Sequence, residues 1–143
     1  MTFIENDDLV FARALLSDDV TCVLKKGDDE IVSKARGIRP LIDLINDGKT
    51  YEGYSAADKI VGKAAALLFV KAKVKSVYAE VASEPAEAVF RKAGVPFSYG
   101  TLTRYIVNRS GDGPCPMEAT VFSVDDPEQA FILLRNKLLS LSK

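Results

Sequence analysis

The sequence predicts an α/β fold in which helices cover both faces of a mixed β-sheet. Two observations predict it: a hairpin signal near the N-terminus, and strand and helix signals that alternate after it with short connectors. The chain has 143 residues, of which 48% are hydrophobic and 27% charged. This is a globular composition of one domain's length, so we expect a single domain over residues 1–143.

The first elements are predicted by capping and turn residues. Asn6 and Asp7 suit the start of a helix, and strands over residues 20–25 and 30–33 are joined through Gly27 in a spacing that favours an antiparallel hairpin. Pro40 then opens a short helix that ends before Gly48.

The segment after these elements predicts a central helix over residues 55–71. Ser55 followed by Asp58 resembles a capping box, and Gly62 lies among alanines that let neighbouring backbones approach closely. Lys59 and Lys63 fall four residues apart on this predicted helix. One interpretation is that at least one of them faces a pocket, and an exposed stripe explains both equally well.

The second half of the chain continues the alternation. A strand is predicted over residues 75–81, a helix between Ser83 and Gly94, and a short strand over residues 95–99. Residues 101–108 are ambiguous, residues 116–121 predict a short helix, and an amphipathic helix begins after Asp126.

Composition excludes several classes of function. The chain has no His, which removes Ser-His triads and His-ligated metals, and its net charge of -1 does not indicate nucleic-acid binding. The acidic N-terminus lacks the basic start of a secretory peptide, and no apolar stretch is long enough to span a membrane. We therefore expect a cytoplasmic protein that binds neither nucleic acid nor membranes.

Two segments, residues 53–63 and 108–118, carry the most distinctive motifs. These motifs are Tyr54-Ser55-Ala56-Ala57-Asp58-Lys59, Val61-Gly62-Lys63-Ala64-Ala65-Ala66, Asn108-Arg109, Gly111-Asp112-Gly113 and Cys115-Pro116-Met117-Glu118. Through these motifs the chain resembles a family of small uncharacterised prokaryotic proteins, a domain of unknown function. That family is assigned to the cytidine-deaminase-like superfamily. The resemblance covers nearly the whole chain. It implies a three-layer α/β/α sandwich with a mixed sheet, and no established activity.

The zinc-ligand set of the deaminases is missing from the matching positions. Zinc deaminases carry His-x-Glu at one helix start and Pro-Cys-x-x-Cys at another. If the segments correspond, Ser55 replaces the His, Ala57 replaces the catalytic Glu, and Glu118 replaces the second Cys, so that only Cys115 remains. We expect no metal, no cofactor and no ordinary zinc deaminase activity.

The resemblance places the two helix starts around one pocket, whose N–H groups and dipoles favour an anion. The leading hypothesis is a small anionic or nucleotide-like metabolite. Its predicted ligand-binding residues are Tyr54, Ser55, Asp58, Lys59, Arg109 and Asp112. The structural alternative is that Ser55 and Asp58 only cap a helix and that the basic residues are solvated.

Cys115 supports a second hypothesis, a transferase or redox enzyme. A thiol at a helix N-terminus is a candidate nucleophile, and Glu118, one turn later, is a candidate base. Whether the chain is an enzyme stays open at this point. A third hypothesis is a non-catalytic scaffold, and a homodimer is compatible with all three because soluble oligomers are commonly twofold.

Overall fold

The computed structural model describes residues 7–35, 37–107 and 115–141 and has an α/β architecture. The helices are α1 (Asp7–Leu15), α2 (Arg39–Asn46), α3 (Lys63–Ala72), α4 (Glu84–Ala93), α5 (Pro116–Thr120) and α6 (Pro127–Leu141). The strands are β1 (Cys22–Lys26), β2 (Asp29–Ser33), β3 (Ser55–Val61), β4 (Ser76–Ser83) and β5 (Phe97–Thr103).

The strands form one mixed sheet in the order β2-β1-β3-β4-β5. β1 pairs antiparallel with both β2 and β3, whereas β3, β4 and β5 are parallel neighbours. The parallel connections run through α3 and α4. Because such crossovers are almost always right-handed, both helices lie on the same face of the sheet, where they pack against each other.

The core is divided between the two faces of the sheet. On one face, Leu9 and Ala12 of α1 pack on Val23, Ala57 and Tyr78. The other face carries the larger cluster, to which α2, α3, α4 and α6 contribute and which centres on the buried side chains of α3. The predicted α/β fold with a mixed sheet is confirmed.

Most predicted elements are confirmed, with shifts of a few residues. The hairpin, α2 after Pro40 and α5 after Pro116 are present. α4 begins at the predicted cap, where the Ser83 side chain accepts a hydrogen bond from Ala86 N–H, and it ends at Gly94 in the left-handed conformation (φ 75°). The ambiguous residues 101–103 extend β5.

The predicted central helix over residues 55–71 is wrong in its first half. Ser55 begins β3, a central strand, and α3 starts only at Lys63, with Gly62 as its N-cap. Ala56 pairs with Leu24 on one side and Val77 on the other, and it is fully buried. Hydrogen bonding on both sides therefore overrides the helix preference of the alanines.

Ser55 is consequently a buried strand residue and not a helix cap. Its hydroxyl lies 2.9 Å from that of Ser76, its partner on β4, and accepts a hydrogen bond from it. We expect Ser55→Ala to lower the free energy of unfolding by about 1 to 2 kcal/mol, because a buried hydrogen bond is lost. Denaturant melts of Ser55→Ala, Ser76→Ala and the double variant measure this. Strictly additive losses would contradict the coupling of the two hydroxyls.

Candidate functional site

A cleft of about 980 Å³ lies at the carboxyl ends of β3 and β4. Its lining is mostly apolar and comes from the end of β4, from α3, α4 and α5, from the segments after β5 and α5, and from the start of α6. The lining residues are Lys63, Leu67, Val70, Ser83, Pro85, Ala88, Val89, Lys92, Ala93, Tyr105, Ile106, Glu118, Ala119, Phe122, Asp125 and Pro127. Ligand sites of open α/β sheets gather at this edge, where strands end and helices begin.

Glu118 forms the polar centre of the cleft. Its two carboxylate oxygens accept hydrogen bonds from the backbone N–H groups of Lys63 and Ala64, each at 2.7 Å. Gly62, the N-cap of α3, has no side chain to do this, so a residue 55 positions away from Lys63 caps the helix instead.

Burial and hydrogen-bond partners have opposite effects on the pKa of Glu118. Burial raises the pKa of this carboxyl above its ordinary value, while the N–H groups of Ala64 and Lys63 and the charge of Lys63 act in the opposite direction. Ionised Glu118 also stabilises the positive end of the α3 dipole. The site therefore holds a desolvated carboxylate committed to a helix N-terminus.

Lys63 connects α3 to the residues before α6. Its ammonium lies 3.1 Å from Asp125 Oδ1 and donates to the carbonyl oxygen of Phe122, also at 3.1 Å. The sequence makes both Lys59 and Lys63 candidates for facing the pocket, and it includes Lys59 among the predicted ligand-binding residues. The structure places Lys63 in the cleft. The chain changes from strand to helix at Gly62, so Lys59 lies on β3 and Lys63 begins α3.

The predicted pairing of Ser55 with Cys115 across one pocket is wrong. Ser55 begins β3, whereas Glu118 contacts α3 just beyond the other end of that strand. Seven residues of strand separate these points by about 20 Å. Tyr54 also lies at the Ser55 end of β3, away from Glu118. Its hydroxyl donates a hydrogen bond to Asp29, and its ring packs edge-on against that of Tyr51 with the ring centroids 5.4 Å apart.

Of the remaining predicted ligand-binding residues, the structure describes Asp58 and Lys59, and neither lines the cleft. Lys59 pairs with Asp18 at 3.8 Å, beside the loop after α1. Arg109 and Asp112 lie outside the described residues, so their part in the site stays a prediction.

Cys115 is half-buried and directly precedes α5. Its backbone N–H donates to Ile106 O at 3.3 Å, which ties α5 to the segment after β5. Both oxygens of Glu118 point to α3, so the predicted base is already engaged elsewhere. A catalytic role of Cys115 with Glu118 stays a prediction.

Asp58 is the most perturbed acid of the sheet. It is half-buried in the middle of β3 between Cys22 on β1 and Ala79 on β4. Burial raises the pKa of its carboxyl from 3.8 to about 8, against the opposing effect of the Ile60 and Lys59 N–H groups. Burial, followed by the charge of Asp58, also raises the pKa of the Cys22 thiol.

This raised pKa predicts a pH dependence of stability. Between about pH 4 and pH 8 the folded state holds a proton on Asp58 that the unfolded chain has released, so stability falls as pH rises through that window. The slope reaches up to about 1.4 kcal/mol per pH unit. We expect Asp58→Asn to remove this slope in denaturant melts, whereas Asp28→Asn in the hairpin turn leaves it. Equal slopes for Asp58→Asn and the unsubstituted chain would contradict the assignment.

The comparisons with known proteins identify the family. A family model described as "Domain of unknown function (DUF1893)" matches residues 11–138. The chain belongs to the DUF1893 family. Its fold is similar to the crystal structure of a DUF1893 family protein (TM1506) from Thermotoga maritima, with a TM-score of 0.84 and 29% identity over 94% of this chain and 93% of that one. A search of curated proteins found no match.

Among residues 7–35, 37–107 and 115–141, no three His, Cys, Asp or Glu side chains converge in a way that could hold a metal ion. Within the same ranges, every helix is too short or too polar to cross a membrane.

Proposed function

We propose that this DUF1893 protein binds a small, nucleotide-like metabolite in the cleft at the carboxyl ends of β3 and β4. The observation that carries the proposal is the cleft itself. At about 980 Å³ it is as large as the sites of drug-sized ligands, and it combines an apolar lining with a few polar groups. An open cleft also favours a ligand over the scaffold hypothesis, which needs a closed pocket and an apolar contact face.

Aromatic side chains at the cleft suit a planar ring. Tyr105 and Phe122 line it and are 60% and 76% exposed, respectively. Each ring offers a face on which a planar ligand can stack. The apolar flank formed by Leu67, Val70 and Val89 would contact the remainder of the ligand.

The anionic part of the ligand must bind away from the start of α3. Glu118 already takes the N–H groups of Lys63 and Ala64, so a phosphate or carboxylate there would meet a like charge. Among the described residues, the cationic side chains of the cleft are Lys63, which is held by Asp125, and Lys92 on α4. We assign the anion to Lys92, because Lys63 is already paired with Asp125.

The proposal includes a cytidine-deaminase-like, three-layer fold without zinc deaminase chemistry. Helices on both faces of the sheet support this fold. The helix whose start lies beside α5 is α3, and it begins after Gly62 rather than at Ser55. Gly62 and Ala64 have no side-chain donor for zinc, and Glu118 is committed to backbone N–H groups. Release of ammonia from a nucleoside by the zinc-supplemented protein would contradict this part.

Thermal shift with nucleobases, nucleosides and nucleoside monophosphates tests the proposal. A bound ligand raises the melting temperature by mass action, and we expect the monophosphates to give the largest shift. Lys92→Ala should reduce the monophosphate shift to that of the nucleoside, while Lys75→Ala, outside the cleft, should leave it unchanged. No shift with any of these compounds, or equal effects of the two lysine variants, would contradict the proposal.

A further inference from the structure

The two edges of the sheet differ in how they are protected. β2, at one edge, is five residues long and carries Asp29 and Glu30. β5, at the other edge, is seven residues long and its sequence FSYGTLT contains no charge. Natural proteins usually blunt an edge strand with charges, prolines or a short length, because its open backbone groups pair readily with another strand.

The backbone of β5 is arranged for further pairing on its outer side. Val77 N–H donates to Pro96 O at 3.1 Å, and Val77 is in register with Phe97. In a parallel ladder, alternate residues turn their N–H and C=O groups toward the neighbour, here the even-numbered residues of β5. The groups that turn outward belong to Phe97, Tyr99, Thr101 and Thr103. Within the described part of the chain, β5 pairs with β4 alone.

We propose that the β5 edge binds a second copy of this chain, antiparallel, around a twofold axis at Gly100. The outward residues are symmetric about this position, so Tyr99 meets Thr101 of the other copy and Phe97 meets Thr103. This register pairs all seven residues and forms about eight backbone hydrogen bonds between the copies. It joins the two sheets into one of ten strands.

Charge and exposure favour a second copy as the occupant. A twofold contact brings identical residues close together, which a charged strand such as β2 resists and the uncharged β5 permits. Tyr99 and Leu102 are each 37% exposed, on opposite faces of β5. In the proposed register, Tyr99 packs beside Thr101 and Leu102 beside Ser98 of the partner copy, so each exposed side chain gains a cross-strand neighbour.

Sedimentation equilibrium tests the interface. We expect the protein to have twice the 15.6 kDa mass of the chain at micromolar concentration. Thr101→Lys places two ammonium groups close to the twofold axis and should weaken dimerisation at least about tenfold. The matched control is Val32→Lys, on the exposed face of the other edge strand, which should leave the dimer intact. A monomeric unsubstituted protein, or equal effects of the two lysines, would overturn the proposal.

A disulfide test checks the register and does not depend on ligand binding. Ser98 and Leu102 lie about 13 Å apart within one strand, too far for a disulfide, but directly opposite each other across the proposed axis. In a Cys115→Ser background, Ser98→Cys with Leu102→Cys should give a covalent dimer on mild oxidation, and Ser98→Cys alone should not. Efficient cross-linking by the single variant, or none by the pair, would exclude this register.

Discussion

Glu118→Ala is expected to lower the free energy of unfolding by about 3 kcal/mol. The substitution removes two charge-assisted hydrogen bonds of 2.7 Å and leaves the partly buried N–H groups of Lys63 and Ala64 without their acceptor. Urea melts followed by circular dichroism measure the loss. Glu118→Gln should lose less, because its amide oxygen still accepts one of the two hydrogen bonds.

An exposed ion pair provides the control for this prediction. Glu128 pairs with Lys71 at the surface, and 59% of its side chain is exposed. Glu128→Ala is expected to change stability by less than about 1 kcal/mol, because solvent screens such pairs. Similar losses for Glu118→Ala and Glu128→Ala would mean that the contact with α3 contributes little.

Gly62→Ala is expected to destabilise the protein by about 2 kcal/mol, and Gly62→Leu by more than about 3 kcal/mol or to prevent folding. A Cβ atom at Gly62 would lie 2.0 Å from Glu118 Oε1 and 2.9 Å from Ile106 Cγ1. The backbone there is extended, with φ -96° and ψ -173°, so the need for glycine is steric. Both the Glu118 carboxylate and the Ile106 side chain must shift to make room for it.

A double-variant cycle separates the two neighbours of Gly62. In a Glu118→Ala background the nearer obstacle is gone, so Gly62→Ala should cost less there than in the unsubstituted chain. An increase in the denaturant midpoint for Gly62→Ala alone would show that the space beside Gly62 is open and would contradict the close contact.

The sequence predicts crowding at Gly62 from a helix that does not exist at that position. The sequence places Gly62 inside a helix under a neighbouring backbone, whereas it is the N-cap of α3 under the side chains of Glu118 and Ile106. The small residues around it correctly indicate close packing. They do not indicate which group approaches, because that group comes from a distant part of the chain.

Local patterns were sufficient where capping and turn chemistry decide the structure. Ser83 and Gly94 define the ends of α4 through a side-chain cap and a left-handed residue. The turn at Gly27, where φ is positive, closes the predicted hairpin. These signals depend on neighbours within a few residues, so they can be read without knowledge of the fold.

The sequence by itself determined the α/β class, the hairpin and most helix ends. Of the two segments it singles out, only Lys63 and Glu118 line the cleft among the described residues. Only the tertiary structure decided that residues 55–61 are a strand, because β1 and β4 supply hydrogen bonds on both sides. It also decided that Lys63 rather than Lys59 lines the cleft, and that Glu118 caps α3 from 55 residues away. Propensity and periodicity describe local preference, whereas these outcomes depend on which distant groups satisfy the backbone once the chain is packed.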